Sequence, residues 1–259
     1  MNRIDQLFSE KKELILSIYT TAGYPGLEDT VPVIKALQES GADMIELGMP
    51  FSDPLADGEV IQQSSQAALA NGMNIRLLFE QIAGFRSEVH IPVILMGYLN
   101  PVMQFGFEKF TMKCKEVGID GLILPDLPLH IYQAEYRRLV EAADLKMIML
   151  ITPQTSEERV YKIADASGGF LYMVADSSTT GARDGIKDTQ LEYFSRVEKM
   201  QLGIPRLIGF GISNNETFNL ACRHAHGAII GSAFLRALGS KNGKTVEEKV
   251  KDFVRSILQ

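Results

Sequence analysis

Residues 205–232, PRLIGFGISNNETFNLACRHAHGAIIGS, contain one complete repeat of the pattern that decides the fold. A mostly apolar run at 205–211 is followed by a segment with helical periodicity at 216–223 and by a second apolar run at 227–231. Both runs are continuous rather than alternating in hydrophobicity, which is typical of strands buried on both faces of a parallel sheet. The stretch therefore predicts a strand, a helix and a second, parallel strand.

The same unit recurs along the whole chain of 259 residues, without a linker rich in Pro, Gly or Ser. An eightfold alternation of this length fits one closed (β/α)8 barrel better than an open doubly wound sheet. We therefore predict the α/β class and a TIM barrel that forms a single domain over residues 1–259. The predicted strands are 14–20, 44–48, 92–97, 121–125, 147–152, 170–175, 205–211 and 227–231. The predicted helices are 29–40, 61–70, 107–117, 131–143, 157–166, 190–200, 216–223 and 245–258.

Two further helices are expected outside this alternation. Residues 2–9 precede the first strand and carry Ile4, Leu7 and Phe8 at helical spacing, so this helix should cover the bottom of the barrel. A short helix should follow the eighth strand, with Ser232 as its N-cap. Capping boxes are predicted at Thr245 with Glu248 and at Ser213 with Glu216.

Composition narrows the classes of function. The formal net charge is −6 and no basic cluster is present, which argues against nucleic acid or an anionic membrane as a partner. The first residues, MNRIDQLFSEKKE, contain no apolar targeting segment, and no later stretch is apolar for long enough to span a membrane, so we expect a cytoplasmic protein. Cys114 and Cys222 lie outside any metal or redox spacing, and the His residues are scattered. We expect neither a metal nor a cofactor in this chain.

Glu46 is the first candidate for catalysis. The active site of a TIM barrel lies at the carboxyl ends of its strands, and Glu46 stands in the second predicted strand on the face opposite Ile45 and Leu47. A carboxylate in an apolar strand is costly unless it is paired or neutralised, so a buried ion pair is the alternative interpretation. No cation stands at a strand's carboxyl end nearby. Burial without a partner raises the pKa of a carboxyl toward the range where it can both give and take protons.

The loop after the second strand adds two acids, Asp53 before Pro54 and Asp57 before Gly58. Acids at such positions often only stabilise turns. Because Glu46 lies in the strand that leads into this loop, a second acid could share the transfer of protons between two substrate atoms.

Glycines follow the seventh and eighth strands, at 209–213 (GFGIS) and at Gly231 before Ser232. Gly211 lets a backbone N–H approach a ligand closely, and this part of a TIM barrel with its short extra helix is the usual phosphate cradle. Helix capping alone is the alternative interpretation. Lys146 stands at the N-terminal end of a strand, which argues against a Schiff-base aldolase. These residues predict acid–base chemistry on a small phosphorylated molecule.

Two other segments have open interpretations. The polar residues 176–185, DSSTTGARDG, are too long for a simple turn and predict a mobile lid over the site. Asp126, after the fourth strand, is either a turn residue or a residue of an interface.

Residues 46–58, ELGMPFSDPLADG, resemble the signature of tryptophan synthase α chains. Further segments resemble motifs of this family and occur in the same order: 21–25, 95–101, 125–128, 180–181, 209–213 and 231–232. The resemblance implies a lyase of tryptophan biosynthesis that splits indole-3-glycerol phosphate into indole and glyceraldehyde 3-phosphate. It departs from the family at 177–181, SSTTG, where members usually have Gly-Val-Thr-Gly.

The resemblance also implies individual roles. Glu46 would be the acid–base residue, Asp57 would accept a hydrogen bond from the indole N–H, and Tyr172 would lie on the floor of the site. Thr180 and Gly181 would close the lid. The implied substrate-binding residues are Tyr19, Met96, Tyr172, Thr180, Gly181, Phe210, Gly211, Gly231 and Ser232.

A partner is implied as well. The family resemblance implies an α–β–β–α tetramer with a β subunit that carries pyridoxal phosphate, docked on the rim at the carboxyl ends of the strands. The loops expected at that contact contain Asp53, Pro54, Asn100, Pro101, Asp126 and Pro128, for which ordinary turn chemistry is the alternative. Three other functions stay open: a free-standing lyase, a sugar-phosphate isomerase or epimerase, and a non-catalytic subunit that activates a partner.

Overall fold

The barrel is formed by nine parallel strands in a computed structural model that describes residues 1–55, 57–175, 188–209 and 211–259. The strands are β1 (Ile15–Thr21), β2 (Met44–Gly48), β3 (Val93–Met96), β4 (Gly121–Ile123), β5 (Lys146–Met147), β6 (Met149–Ile151), β7 (Leu171–Val174), β8 (Arg206–Gly209) and β9 (Gly227–Ile230). Their hydrogen-bonded order is β5-β4-β3-β2-β1-β9-β8-β7-β6.

The fifth predicted strand is divided into two short strands, β5 and β6, and the two ends of the sheet meet there. β5 pairs with β4, whereas β6 pairs with β7, and only Ile148 separates β5 from β6. The Ile148 N–H donates to the Leu122 carbonyl at 2.9 Å, so the break stays attached to β4. The prediction of a TIM barrel is confirmed, although hydrophobicity gave no sign of this division.

Helices surround the barrel in the alternation that the sequence predicts. In the described residues they are α1 (Arg3–Glu10), α2 (Thr30–Ser40), α3 (Glu59–Ala70), α4 (Ile75–Gln81), α5 (Leu99–Phe105), α6 (Phe107–Val117), α7 (Leu129–Ile131), α8 (Arg137–Ala142), α9 (Glu157–Ala166), α10 (Asp188–Lys199), α11 (Asn215–Cys222), α12 (Ser232–Leu238) and α13 (Val246–Leu258). A π-helical turn, Tyr132–Tyr136, joins α7 to α8 within the predicted helix 131–143. None of the helices described combines the length and apolar character that crossing a membrane requires.

Helix α5 corrects the expectation that Asn100 and Pro101 lie in a loop. Both residues are in the first turn of α5, where a proline is tolerated because its missing N–H has no partner within the helix. Asp126 stabilises this start, because its two carboxylate oxygens accept from the Leu99 N–H at 2.9 and 3.1 Å. Asp126 is thus a capping residue supplied by another loop, a contact that sequence spacing does not indicate.

Helix caps agree with the sequence at α13 and differ at α12. The Glu248 N–H donates to the Thr245 hydroxyl at 3.3 Å, and the Thr245 N–H donates to the Glu248 carboxylate at 2.8 Å, which confirms that capping box. Ser232 is the first residue of α12 and Gly231 occupies the cap position, so the prediction that Ser232 caps this helix was wrong.

The capping box before α11 lies one residue later than predicted. Asn214, not Ser213, is the N-cap, and its side-chain oxygen accepts from the Thr217 N–H at 2.9 Å. The pairing of Ser213 with Glu216 was therefore wrong. Asn214 has the extended backbone of a cap residue, and asparagine caps helices as well as serine does, so the pattern alone could not choose between them.

Side chains alternate between the barrel interior and the helix layer. Tyr19 and Met44 belong to the inner apolar cluster, whereas Ile18 and Ile45 belong to the cluster between strands and helices. Helix α1 packs into the inner cluster through Ile4 and Phe8, and the Phe8 and Phe170 ring centroids are 5.9 Å apart. The helix predicted to cover the bottom of the barrel is confirmed in that position.

Candidate active site

Glu46 lies in the middle of β2 and is fully buried. It is paired in register with Tyr19 on β1, and its Oε1 accepts a hydrogen bond of 3.2 Å from the Ser17 hydroxyl. Within the described residues its Oε2 has no hydrogen-bond partner, and the alternative of a buried ion pair finds no cation there. Burial raises the pKa of Glu46 from 4.5 to about 8, although the Ser17 hydrogen bond acts in the opposite direction. Such a carboxyl can both give and take a proton near neutral pH.

Asp57 is half-buried in the loop between β2 and α3. Its N–H donates to the Pro54 carbonyl at 3.0 Å, so the backbone does form a turn. The side chain is not used by that turn, since Oδ2 accepts from the Tyr98 hydroxyl at 3.1 Å. Burial raises the pKa of Asp57 to about 6, against the lowering effect of Tyr98.

Tyr19 on β1 and Tyr172 on β7 both belong to the apolar cluster inside the barrel, and both are buried. A Cβ added to Gly48 would overlap the Tyr19 hydroxyl, and one added to Gly209 would overlap the Tyr172 hydroxyl. Glycine at these two positions leaves the space that the hydroxyls occupy. Burial, followed by the charges of Asp57 and Glu46, raises the pKa of both tyrosines, so both hydroxyls stay neutral.

A small cavity opens beside these groups. The predicted residues Tyr19, Asp57 and Met96 meet in its wall, which the carboxyl ends of the strands and their loops form. The other lining residues are Met49, Phe51, Pro54, Ser65, Gly97, Tyr98 and Pro125. The mixed aromatic and polar lining, with the raised pKa of Asp57, marks this cavity as a candidate binding site.

The glycines of the predicted phosphate cradle lie at the same end of the barrel. Gly211 has a φ of 80°, which favours glycine, and a Cβ there would meet no atom of the described residues within 4 Å. Gly231 adjoins the site, since its added Cβ would lie 3.4 Å from the Tyr19 Cβ. Thr180, Gly181 and Phe210, together with the predicted lid 176–185, lie outside the described residues.

The described residues contain no group of three or more His, Cys, Asp or Glu side chains placed to hold a metal ion. The sequence model of the family described as tryptophan synthase alpha chain matches residues 5–258. The chain belongs to that family. As a member it is a carbon–carbon lyase of tryptophan biosynthesis, and the alternative of a sugar-phosphate isomerase or epimerase is set aside.

Individual relatives agree with the membership in the tryptophan synthase alpha family. The tryptophan synthase alpha chain of Parabacteroides distasonis is 53% identical over 259 residues, which covers 100% of both chains. The solved tryptophan synthase subunit alpha of Legionella pneumophila has a TM-score of 0.87 and 35% identity, covering 99% of this chain and 97% of that one. A tryptophan synthase complex from Pyrococcus furiosus has a TM-score of 0.86 and 33% identity, with 96% and 99% covered.

The residues of this candidate site that sequence reasoning missed include Ser17, Phe51 and Tyr98. Ser17 could have been found, because period-2 alternation places it on the same face of β1 as Tyr19. Tyr98 directly follows the third predicted strand and its glycine, which is a position that the barrel rule marks as functional. Phe51 gave no signal, since only the fold brings its ring centroid to 5.2 Å from that of Tyr98.

The rim residues expected at a partner contact are not equally accessible. Pro54 is buried and lines the cavity, and Pro101 is half-buried in α5. The exposed members of the set are Asp53, Asn100, Asp126 and Pro128. Two large apolar side chains accompany them on the rim, Leu55 with 86% and Met103 with 46% of its surface exposed.

Proposed function

We propose that this chain cleaves the bond between indole C3 and the glycerol chain of indole-3-glycerol phosphate, with Glu46 as acid and base and Asp57 as the acceptor for the indole N–H. The observation that carries the proposal is a fully buried Glu46, whose Oε2 has no hydrogen-bond partner within the described residues, together with a second carboxyl, Asp57, in the cavity wall. Between about pH 6 and pH 8, Asp57 is ionised and Glu46 keeps its proton, because burial raises the pKa of Glu46 to about 8 and that of Asp57 only to about 6.

The two states suit the two tasks of the reaction. Glu46 transfers its proton to C3, whose new C–H bond uses the π electrons between C2 and C3, and positive charge develops at N1. Asp57 stabilises that charge as a carboxylate. The bond from C3 to the glycerol chain then breaks, its electron pair returns to the indole ring, and the Glu46 carboxylate takes the hydroxyl proton as the aldehyde forms.

We propose that the indole ring of the substrate lies in this cavity and that its phosphate lies at the glycines that follow β8 and β9. Tyr19, Met96 and Tyr172 would contact the indole ring, which their apolar surfaces suit. Gly211, Gly231 and Ser232 would hold the phosphate together with Thr180, Gly181 and Phe210. No side chain of the described residues fills the space above Gly211, which supports this arrangement because a phosphate oxygen could approach its backbone closely.

Asp57 and Tyr98 give a test of the proposed charge on Asp57. Since the Tyr98 hydroxyl lowers the pKa of Asp57, Tyr98→Phe should raise it, and the acidic limb of kcat/KM should move to higher pH. Asp57→Asn should disable turnover at every pH. The matched control is Tyr161→Phe, because Tyr161 is 52% exposed on α9 and donates to the Met200 carbonyl. An acidic limb that stays in place in Tyr98→Phe, with turnover retained in Asp57→Asn, would make Asp57 a binding residue only.

The partner belongs to the same proposal. We infer that the chain is a cytoplasmic subunit of one domain, residues 1–259, that needs no cofactor of its own and joins a β subunit with pyridoxal phosphate in an α–β–β–α tetramer. The exposed Leu55 and Met103 support docking at the rim, since apolar surface there would be buried by a partner. The rim is also the part nearest the site, so indole could pass to a second active site without release. The Pyrococcus furiosus relative was solved as a complex.

Indole release measured for the purified chain alone and with a tryptophan synthase β subunit tests this assignment. The chain alone should release indole slowly, and the β subunit should raise the rate by a coupling of about 1–3 kcal/mol, or roughly 5- to 150-fold. Leu55→Asp should weaken association on size exclusion. Met112→Asp should not, because Met112 is 53% exposed on α6, away from the strand ends. A chain that is fully active alone would favour the free-standing lyase, and a complex unaffected by Leu55→Asp would count against docking at this rim.

A further inference from the structure

Ser17 is a polar residue in the apolar interior of the barrel that the proposed mechanism does not yet use. It is fully buried on β1, on the same inward side as Tyr19, and its register partner on β2 is Met44. A buried hydroxyl needs a hydrogen-bond partner, and Ser17 finds one in Oε1 of Glu46 at 3.2 Å.

The two oxygens of Glu46 are therefore unlike. Oε1 accepts from Ser17, whereas Oε2 is buried and has no hydrogen-bond partner within the described residues. We propose that Ser17 is a positioning residue for the cleavage reaction: its hydroxyl holds Oε1 as the accepting oxygen, so that the reactive proton of Glu46 resides on Oε2. This inference rests on the proposed role of Glu46 as the acid and base.

Hydrogen-bond chemistry explains the choice of oxygen. A protonated carboxyl has one oxygen that carries the proton and one that only accepts, and a hydroxyl that donates to an oxygen disfavours the proton there. Strand geometry explains the direction. Ser17 is level with Met44, two residues nearer the start of β2 than Glu46, so the bond turns Oε1 toward the bottom of the barrel. Oε2 is left for the end where the cavity and Asp57 lie.

The contact also changes during the reaction. When the Oε2–H bond breaks and the proton joins C3, the electron pair stays on the Glu46 carboxylate, and the hydrogen bond from Ser17 becomes charge-assisted. The same oxygen, Oε2, then accepts the hydroxyl proton of the substrate, which restores the neutral carboxyl. Ser17 thus favours the ionised intermediate state of Glu46 and opposes part of the effect of burial.

Threonine and valine at position 17 separate the hydroxyl from the shape of the side chain. Both have nearly the same branched shape, but only threonine can donate to Glu46. In Ser17→Val the alkaline limb of kcat/KM, where Glu46 loses its proton, should move up by about one pH unit or more, since a hydrogen bond to the ionised form is lost. In Ser17→Thr it should stay near the wild-type position. If only the small size of Ser17 mattered, both substitutions would change kcat/KM to the same extent at every pH.

A second measurement follows Glu46 without relying on turnover. The infrared carbonyl band of its protonated carboxyl, assigned by its absence in Glu46→Gln, should disappear at a higher pH in Ser17→Val than in Ser17→Thr. Equal titration in the two variants would overturn the inference. If the added methyl group prevents folding, Ser17→Ala against the wild type gives the same comparison without added volume. Full activity in Glu46→Gln would instead overturn the proposed function, while the infrared titration would still decide whether Ser17 controls this carboxyl.

Discussion

Turnover of indole-3-glycerol phosphate by the Glu46→Gln variant is expected to fall by about 10²-fold or more, because the amide keeps the shape of the side chain but cannot transfer a proton. The substitution is also expected to leave the fold intact, since the Glu46 side chain is wholly enclosed by the barrel and glutamine has nearly the same volume. The Ser17 hydroxyl can donate to the amide oxygen as it does to Oε1. The loss should therefore appear in kcat and not in the amount of folded protein.

Although its turnover falls, the Glu46→Gln variant should gain stability relative to the wild type as the pH rises. The folded-state pKa of Glu46 is raised to about 8 from its ordinary 4.5, so between these values the unfolded chain ionises while the folded chain stays protonated. The folded wild type then loses stability as pH rises, by up to about 1.4 kcal/mol per pH unit. Below pH 4.5 no such difference exists. The difference in urea resistance between Glu46→Gln and the wild type, in favour of the variant, should therefore be larger at pH 8 than at pH 4.

The matched control for Glu46→Gln is Glu10→Gln. Glu10 is exposed at the end of α1, on the bottom of the barrel, and it accepts a hydrogen bond from Gln6 that an amide oxygen can also accept. Its turnover should equal that of the wild type. Near-normal turnover in a folded Glu46→Gln protein would refute the role assigned to Glu46.

Asp120→Ala is expected to have the largest effect on stability, a loss of about 3–5 kcal/mol in the free energy of unfolding. Asp120 is buried just before β4, at the bottom of the barrel. Its carboxylate pairs with Arg3 of α1 at 3.0 Å and with Arg86, and it accepts from the Val93 N–H at 2.8 Å. Alanine would leave these donors without their acceptor.

Arg86 makes the loss severe. Only 13% of its side chain is exposed, and burial already lowers the pKa of its guanidinium to about 10, against the favourable charge of Asp120. Without that carboxylate, a buried cation remains uncompensated. The helix α1 that covers the barrel would also lose its contact through Arg3.

Urea unfolding of Asp120→Ala beside Asp5→Ala measures this effect. Asp5 lies on the same helix as Arg3 and pairs with Lys146 at 2.7 Å, but its side chain is 39% exposed, so its removal should cost at most about 1 kcal/mol. The folded Asp120→Ala protein should keep its turnover, because the site is at the other end of the barrel. Equal losses in the two variants would show that the cluster around Asp120 contributes no more than a surface pair.

Local pattern was enough for much of the architecture. Continuous apolar runs and amphipathic segments predicted the strands and their alternation with helices, because burial on both faces leaves a clear mark in composition. Helices α4 and α5 were missed. α5 contains Pro101 in its first turn and is capped by Asp126 from another loop, so its start depends on a contact between distant residues.

In the candidate site, too, some features could be predicted from the sequence and others depend on tertiary contacts. Glu46 was predicted from the sequence alone, because a carboxylate in an apolar strand is conspicuous wherever that strand lies, and the structure shows that it is buried in β2. Its protonation, by contrast, depends on the enclosure by the barrel and on Ser17 from the neighbouring strand. The Tyr98 contact of Asp57 likewise joins the ends of different strands. Hydrophobic periodicity acts over a few residues and fixes each element separately, whereas the pKa values of the two carboxyls depend on contacts from neighbouring strands and on burial by the whole barrel.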